Sequence, residues 1–349
     1  MQRRDFLVTA AAGVVAAAGA IRPGLAQQAP AAPQGAPPAG GRGGPAGPLG
    51  SPASYPRSPK ASRVAMMTLN FAPWVKDIPD VQPNPYRTMA FFDLPQMVAD
   101  VYDVHLIEFQ SVHFQDHSPA YYKSIRDMLA KSKSRATQIN AEFGMVNMSA
   151  ASLNLRSQAV ALTKAWVDIA AAIGAQRVMV NQNQGNLTKD NLPQAIAAFK
   201  AMADYGKSKN IIVSIETRGN PLANRGRGAG AAAANPGAPP PPPLPENLPQ
   251  PGLQTWQIMS ELIKGAGAYS NPDVGNCNAN SQQELHQCLS KELLFPTAGA
   301  MHCRVNTAWD LTTAIKYVTG LGYNGIFTAE SNLGHEGNRP IYEAVLAAI

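Results

Sequence analysis

From about residue 63 onward, short apolar runs alternate with longer stretches whose apolar positions recur every three to four residues. The short runs predict strands at 64–69, 104–109, 144–148, 177–181, 211–216, 273–276, 300–305 and 325–330. The longer stretches predict helices at 94–102, 119–135, 155–173, 192–209, 255–265, 282–294, 308–320 and 340–348. Ala159, Leu162, Trp166, Ile169 and Ile173 carry the helical spacing in one of them, and Gly174 sits where a glycine would stop it. A strand–helix alternation repeated eight times predicts an α/β fold, a single-domain (β/α)8 TIM barrel over 61–349. An open doubly wound sheet is the alternative, and no glycine-rich phosphate loop follows the first run to support it.

Four of the predicted strands deliver metal-type side chains. Glu216 closes IIVSIE, Asp273 opens the sixth run in NPDVGN, His302 lies in GAMHCRV, and Glu330 closes GIFTAE. In a barrel of this kind the ends of successive strands converge on one mouth, so consecutive strands would bring these four together. Three carboxylates and one imidazole suit a hard or borderline divalent ion: Mn2+ first, then Mg2+, Co2+ or Zn2+. No paired cysteines lie nearby to suggest a structural zinc site. Other polar residues fall near strand ends: Glu108, His113, Asn147, Asn181 and Gln182. His117, His286 and His335 are read as structural or exposed.

Over 63–349 the chain resembles the xylose isomerase-like TIM barrel superfamily of sugar phosphate isomerases and epimerases. The segments that carry the resemblance are IEF at 107–109, IET at 215–217, DVGN at 273–276, MHCRV at 301–305 and TAE at 328–330. The resemblance implies that Glu216, Asp273, His302 and Glu330 ligate one divalent ion. It also implies that Glu216 and Glu330 are catalytic, one removing a proton beside a substrate carbonyl and the other returning it, through an enediolate. Glu108, His113, Asn276 and Arg304 are expected to contact substrate or, for Glu108, to support the residues that do. Asn276 stands where some epimerases carry a histidine; it can hydrogen-bond a sugar hydroxyl but cannot titrate near neutrality.

The flanking sequence changes the setting of that site. Arg3, Arg4, Asp5, Phe6 and Leu7 precede an apolar run from Val8 to Ala20, and Gly24, Leu25 and Ala26 offer small residues for cleavage. Residues 1–26 therefore read as a twin-arginine signal peptide, and the protein is expected in the periplasm or outside the cell. The run is too short for a membrane-spanning helix, so no stable membrane insertion is expected after cleavage. Residues 27–60, rich in Ala, Pro and Gly, read as a disordered tether. A second low-complexity stretch, 218–252, interrupts the barrel directly after Glu216. Its place over the mouth suits a lid or partner-binding loop, and equally a tolerated surface insertion.

The chain carries 29 Lys and Arg against 23 Asp and Glu, a mild excess to which the leader itself contributes, and no nucleic-acid footprint. The three cysteines, Cys277, Cys288 and Cys303, permit at most one internal disulfide, and none is expected, because Cys277 and Cys303 neighbour the predicted ligands.

Together these readings predict an exported, divalent-metal-dependent isomerase or epimerase of an unphosphorylated sugar. A lyase or hydratase removing a leaving group from a 3-keto-glycoside would share its first step, and a non-catalytic carbohydrate-binding barrel is the third reading. The expected partner is a small carbohydrate, with homo-oligomerisation left open.

Overall fold

The structure, a computed structural model, describes residues 48–49 and 55–349, apart from 80–83, 144–145, 147, 181–186, 218–252, 278 and 332. The twin-arginine segment, most of the tether, and the insertion at 218–252 lie outside the described residues, as do Asn147, Asn181 and Gln182.

Eight parallel strands form one sheet: β1 Val64–Met67, β2 Leu106–Gln110, β3 Arg135–Ala141, β4 Arg177–Val180, β5 Ile212–Glu216, β6 Tyr269–Asn271, β7 Ala300–Cys303 and β8 Ile326–Ala329. They are hydrogen-bonded in the order β6-β5-β4-β3-β2-β1-β8-β7. The remaining seam, between β6 and β7, is stitched by bridges at Ser270–Thr297 and Asp273–His302, and the His302 amide donates to the Pro272 carbonyl at 2.9 Å. Each strand is followed by a helix: α1 Leu94–Tyr102, α2 Pro119–Lys131, α3 Leu153–Ile173, α4 Leu192–Ser208, α5 Leu253–Ala266, α6 Gln282–Glu292, α7 Leu311–Gly320 and α8 Gly334–Ala348. This is the expected (β/α)8 barrel.

Local chemistry sets the helix ends. The Ser118 hydroxyl accepts the Tyr121 amide, Ser281 accepts that of Glu284, and the Asp310 carboxylate accepts that of Thr313, each satisfying an orphan donor in the first turn. Gly174 adopts φ +80° and ends α3 as anticipated.

The third strand corrects the sequence reading, which ran α2 through residue 135 and placed the strand at 144–148. The helix stops four residues earlier, where Lys133 turns left-handed at φ +54° and the Ser134 amide returns to the Leu129 carbonyl. Arg135–Ala141 then runs as β3. Its polar residues Thr137, Gln138 and Asn140 disguised it, yet all three are buried.

Their burial reflects two different surroundings on the two faces of each strand. One face packs outward against the helices: Ile107, Phe109, Ile139, Val178, Val213, Ile215, Met301 and Phe327 belong to a single continuous apolar core. The other faces the barrel interior, and there Glu108, Gln138, Asn140, Ser214, Glu216, Asn271, His302 and Thr328 are buried.

Candidate metal centre

Alternation along the strands places the expected ligands on the inward face. Glu216 is the last residue of β5, two positions after buried Ser214, and Glu330 directly follows β8, two after Thr328. His302 lies within β7. Asp273 does not open a sixth strand as expected; it follows β6, whose paired residues end at Asn271, and bridges His302 across the barrel seam. The seam is thus the point at which the chain can leave the sheet and still aim a carboxylate at the mouth.

One donor atom from each of Glu216, Asp273, His302 and Glu330 lies within 4.8 Å of the others. Three of the four residues are essentially inaccessible: Glu216 and His302 are 1 % exposed and Asp273 0 %. His302 Nδ1 sits 3.2 Å from Glu330 Oε2 and 3.6 Å from Glu216 Oε1. Nδ1 of His302 and Oε2 of Glu330 face each other as a buried ion pair, yet neither makes a well-formed hydrogen bond among the described residues. Buried polar atoms left this way are costly unless something else satisfies them. A divalent ion fits that need on donor chemistry alone: an imidazole nitrogen and carboxylate oxygens converge with more negative charge than the neighbouring cations neutralise.

Glu108, expected to contact substrate or to support the residues that do, stands in the supporting position. Its side chain is fully buried behind His302, where Oε1 takes the imidazole Nε2 at 2.7 Å and the Asn140 amide at 2.6 Å. Oε2 accepts the Thr328 hydroxyl at 2.8 Å. An ionised carboxylate can only accept, so the Nε2 position carries the proton and Nδ1 faces the mouth. Gln138 extends this network, donating from Nε2 to Asn140 at 3.0 Å and to Asn271 at 3.2 Å. Sequence reasoning missed Asn140 and Thr328. The signal was present in their two-residue spacing from neighbouring polar positions.

Arg304 approaches from the exposed side, its Nη2 2.9 Å from Asp273 Oδ2 and 2.6 Å from Glu330 Oε1. Asp273 Oδ1 meanwhile accepts the Gly275 amide at 2.7 Å. Gly275 makes room for this arrangement, since a Cβ there would stand 2.8 Å from Cδ of Arg304. Asn276 lies half-buried in the short 3-10 turn Val274–Cys277, its amide donating to the Asp273 carbonyl at 3.0 Å. Both residues therefore border the cluster. His113 is buried in the turn after β2, its Nδ1 2.9 Å from the Thr68 hydroxyl, and is not among the four residues that converge. The structural histidines fall where expected: His335 Nδ1 meets the Tyr102 hydroxyl at 2.8 Å, His286 stacks on Tyr317, and His117 packs edge-on against Trp166.

The charges are strongly interdependent. Burial drives the Asp273 carboxyl up to about 6, against the pull of Arg304. Burial also opposes ionisation of Glu330, but Arg304 and His302 outweigh it and hold that carboxyl below the usual range. Burial would lower His302, yet Glu108, Glu216 and Glu330 keep it well above an ordinary histidine. An ion entering the cluster would have to displace the Nδ1 proton, coupling metal affinity to pH.

The disulfide is a further correction. Cys277 and Cys288 are bonded, with Cα atoms 5.9 Å apart, although no disulfide was expected. The 3-10 turn after Asp273 folds back onto α6, an approach that the eleven-residue separation did not reveal. Cys303 is free, buried, and part of the outer core.

No protein-family model matches the sequence, and no curated protein does. Among solved structures, the chain is similar to D-psicose 3-epimerase with D-tagatose from Clostridium cellulolyticum H10, at 10% identity and a TM-score of 0.56, covering 82% of this chain and 96% of that one. It is also similar to a xylose isomerase-like TIM barrel protein from Mycobacterium smegmatis in complex with magnesium, at 14% identity and a TM-score of 0.52, covering 82% and 97%. A third is 3-keto-D-glucoside 4-epimerase from E. coli, at 10% identity and a TM-score of 0.53, covering 82% and 98%. At such identities the likeness establishes the barrel, and the case for chemistry rests on the residues themselves.

Proposed function

We propose that this chain is a divalent-metal-dependent sugar isomerase or epimerase, with Glu216, Asp273, His302 and Glu330 holding the ion. The observation that carries the reading is the convergence of these four donors within 4.8 Å at the C-terminal end of the barrel. Similarity in fold to sugar epimerases, one of them solved with D-tagatose, supports a small carbohydrate as substrate. Mn2+ is the first choice of ion, and Mg2+, Co2+ or Zn2+ would also suit the donor set.

A bound divalent ion would supply Lewis acidity to a substrate carbonyl. The protein's own residues divide the remaining work. Glu216 and Glu330 extend from β5 and β8, the strands that flank β6 and β7, and so reach the mouth from two sides. One removes a proton from the carbon beside the carbonyl, and the other returns a proton to the substrate. Glu108 holds the imidazole of His302 in a single orientation. Arg304, bordering both Asp273 and Glu330, offers its remaining donors to substrate oxygens. Asn276 offers an uncharged donor and acceptor beside it.

The twin-arginine pattern in residues 1–26 supports export, and with it an unphosphorylated substrate. Export also favours a second reading, in which proton removal from a 3-keto-glycoside is followed by loss of a leaving group. The test is incubation of the manganese-loaded full chain with free ketoses and 3-keto-glycosides in heavy water, followed by NMR. Deuterium at the carbon beside the carbonyl is expected, and an unsaturated product would select elimination. Glu330→Gln should keep bound manganese yet exchange about 10²–10⁴-fold more slowly, as loss of a positioned base requires. No incorporation into any substrate of either class would leave a carbohydrate-binding barrel as the better reading.

A further inference from the structure

One partly buried cluster has no part in that chemistry. Cys288 and Glu292 are four residues apart, and so neighbours on the inner face of α6. Cys277 reaches them from the 3-10 turn after Asp273. Both sulfurs and a carboxylate oxygen of Glu292 lie within 4.8 Å of one another. Glu292 is fully buried; its Oε1 accepts the Thr217 hydroxyl at 2.6 Å, while Oε2 has no hydrogen-bond partner among the described residues. The neighbouring disulfide carries no proton, so it can donate nothing to that oxygen.

We propose that reducing the Cys277–Cys288 disulfide opens a second metal site, in which two thiolates and the Glu292 carboxylate bind a thiophilic divalent ion such as zinc. A dithiol supplies two electrons and two protons: the S–S bond breaks, two thiols form, and the reductant closes into its own disulfide. The entering ion displaces the two thiol protons and the proton that burial holds on Glu292, which then binds through oxygen, leaving one position of a tetrahedral shell for water. Zinc–sulfur bonds of about 2.3 Å place two sulfurs roughly 3.8 Å apart. Two cysteines with Cα atoms 5.9 Å apart reach that spacing by side-chain rotation. Sulfur donors separate this site from the nitrogen and oxygen set at the mouth, which suits harder ions. The consequence is structural: the turn bearing Asn276 stays tied to α6, by a covalent bond when oxidised and by an ion when reduced.

Cobalt(II) distinguishes the two sites, because only thiolate ligation gives an intense near-ultraviolet sulfur-to-cobalt charge-transfer band. The full chain is reduced with dithiothreitol, freed of it anaerobically, and titrated with Co2+ beside an oxidised sample. The reduced protein should develop the band to the intensity of one thiolate-bound cobalt per chain, beyond whatever cobalt the mouth takes up, and the oxidised protein should not. His302→Ala should retain it and Cys288→Ser should lose it. Glu292→Gln should keep some sulfur ligation but bind cobalt about tenfold more weakly or worse. Absence of the band in reduced wild-type protein with thiol-titrated free cysteines overturns the proposal, as does its persistence in Cys288→Ser. Undiminished affinity in Glu292→Gln removes the carboxylate from the site and with it the proposal as stated.

Discussion

The two faces of the same eight strands are held by opposite physics. The outward face meets the helices through apolar contact, with Ile107, Phe109, Val213, Ile215 and Phe327 in one core. There the stabilisation is non-directional and scales with area removed from water. The inward face is polar, and each group depends on a named neighbour: His302 on Glu108, and Glu108 on Asn140 and Thr328. Inside the barrel geometry matters more than area, because an unpaired buried polar group is costly and a paired one is fixed in orientation. The outer layer maintains the fold, and the inner layer aims the side chains at the mouth.

If that division is right, damage to one layer should leave the other's property intact. Phe327, fully buried in the outer core, is the sharpest point of attack. Phe327→Ala should cost about 3–5 kcal/mol in denaturant unfolding, the usual penalty for such a truncation. The molecules that remain folded should still bind one divalent ion each. A loss of ion binding without a matching loss of stability would show that the two layers are not separable.

The converse experiment is Glu108→Gln. The amide keeps the shape and can still meet the Nε2 proton of His302 through its oxygen, but it carries no charge. Ion affinity measured by calorimetry should fall by about 10–100-fold, the range found when partners of ligating histidines are altered. Thermal stability should change much less than in Phe327→Ala. Unchanged ion affinity would reduce Glu108 to a packing role.

A smaller effect, from a buried carboxyl on α6, is read by pH. Burial raises the Glu292 carboxyl well above its ordinary 4.5, and the charges of Asp273 and Glu216 add to this against the hydrogen bond from Thr217. Folding therefore retains a proton that the unfolded chain has released. Its contribution to stability is complete at low pH and is lost as pH rises from 4.5 toward the folded value, by at most about 1.4 kcal/mol per pH unit. Glu292→Gln should flatten that part of the stability profile and raise the melting temperature more at pH 8 than at pH 4. A parallel shift at both pH values would assign the effect to packing.

The same contrast explains what could be read from the sequence. The outer face announces itself: apolar runs such as IIV and GIF mark β5 and β8, and the helices follow from their periodicity. The strand-end acids and His302 were legible because chemistry-bearing residues interrupt those runs at their ends. Strand β3 was not, since its inward Gln138 and Asn140 read as surface polarity until the barrel closes around them. Glu108 was noticed, but its direction was not, because that depends on His302 from a strand 194 residues away. Asp273 was found and its place misjudged, as the open seam between β6 and β7 is a property of barrel closure. The disulfide needed the return of a loop onto α6, which no local pattern encodes.

The account stands most directly on divalent-ion binding at the mouth. The full chain, stripped with chelator and kept oxidised so that Cys277 and Cys288 stay paired, can be titrated with Mn2+ by electron paramagnetic resonance beside His302→Ala. Wild-type protein should bind one ion per chain, and His302→Ala, less stable because Glu108 loses its buried partner but still folded, should bind it far more weakly. Equal manganese binding by a folded His302→Ala protein would contradict the assignment of the site.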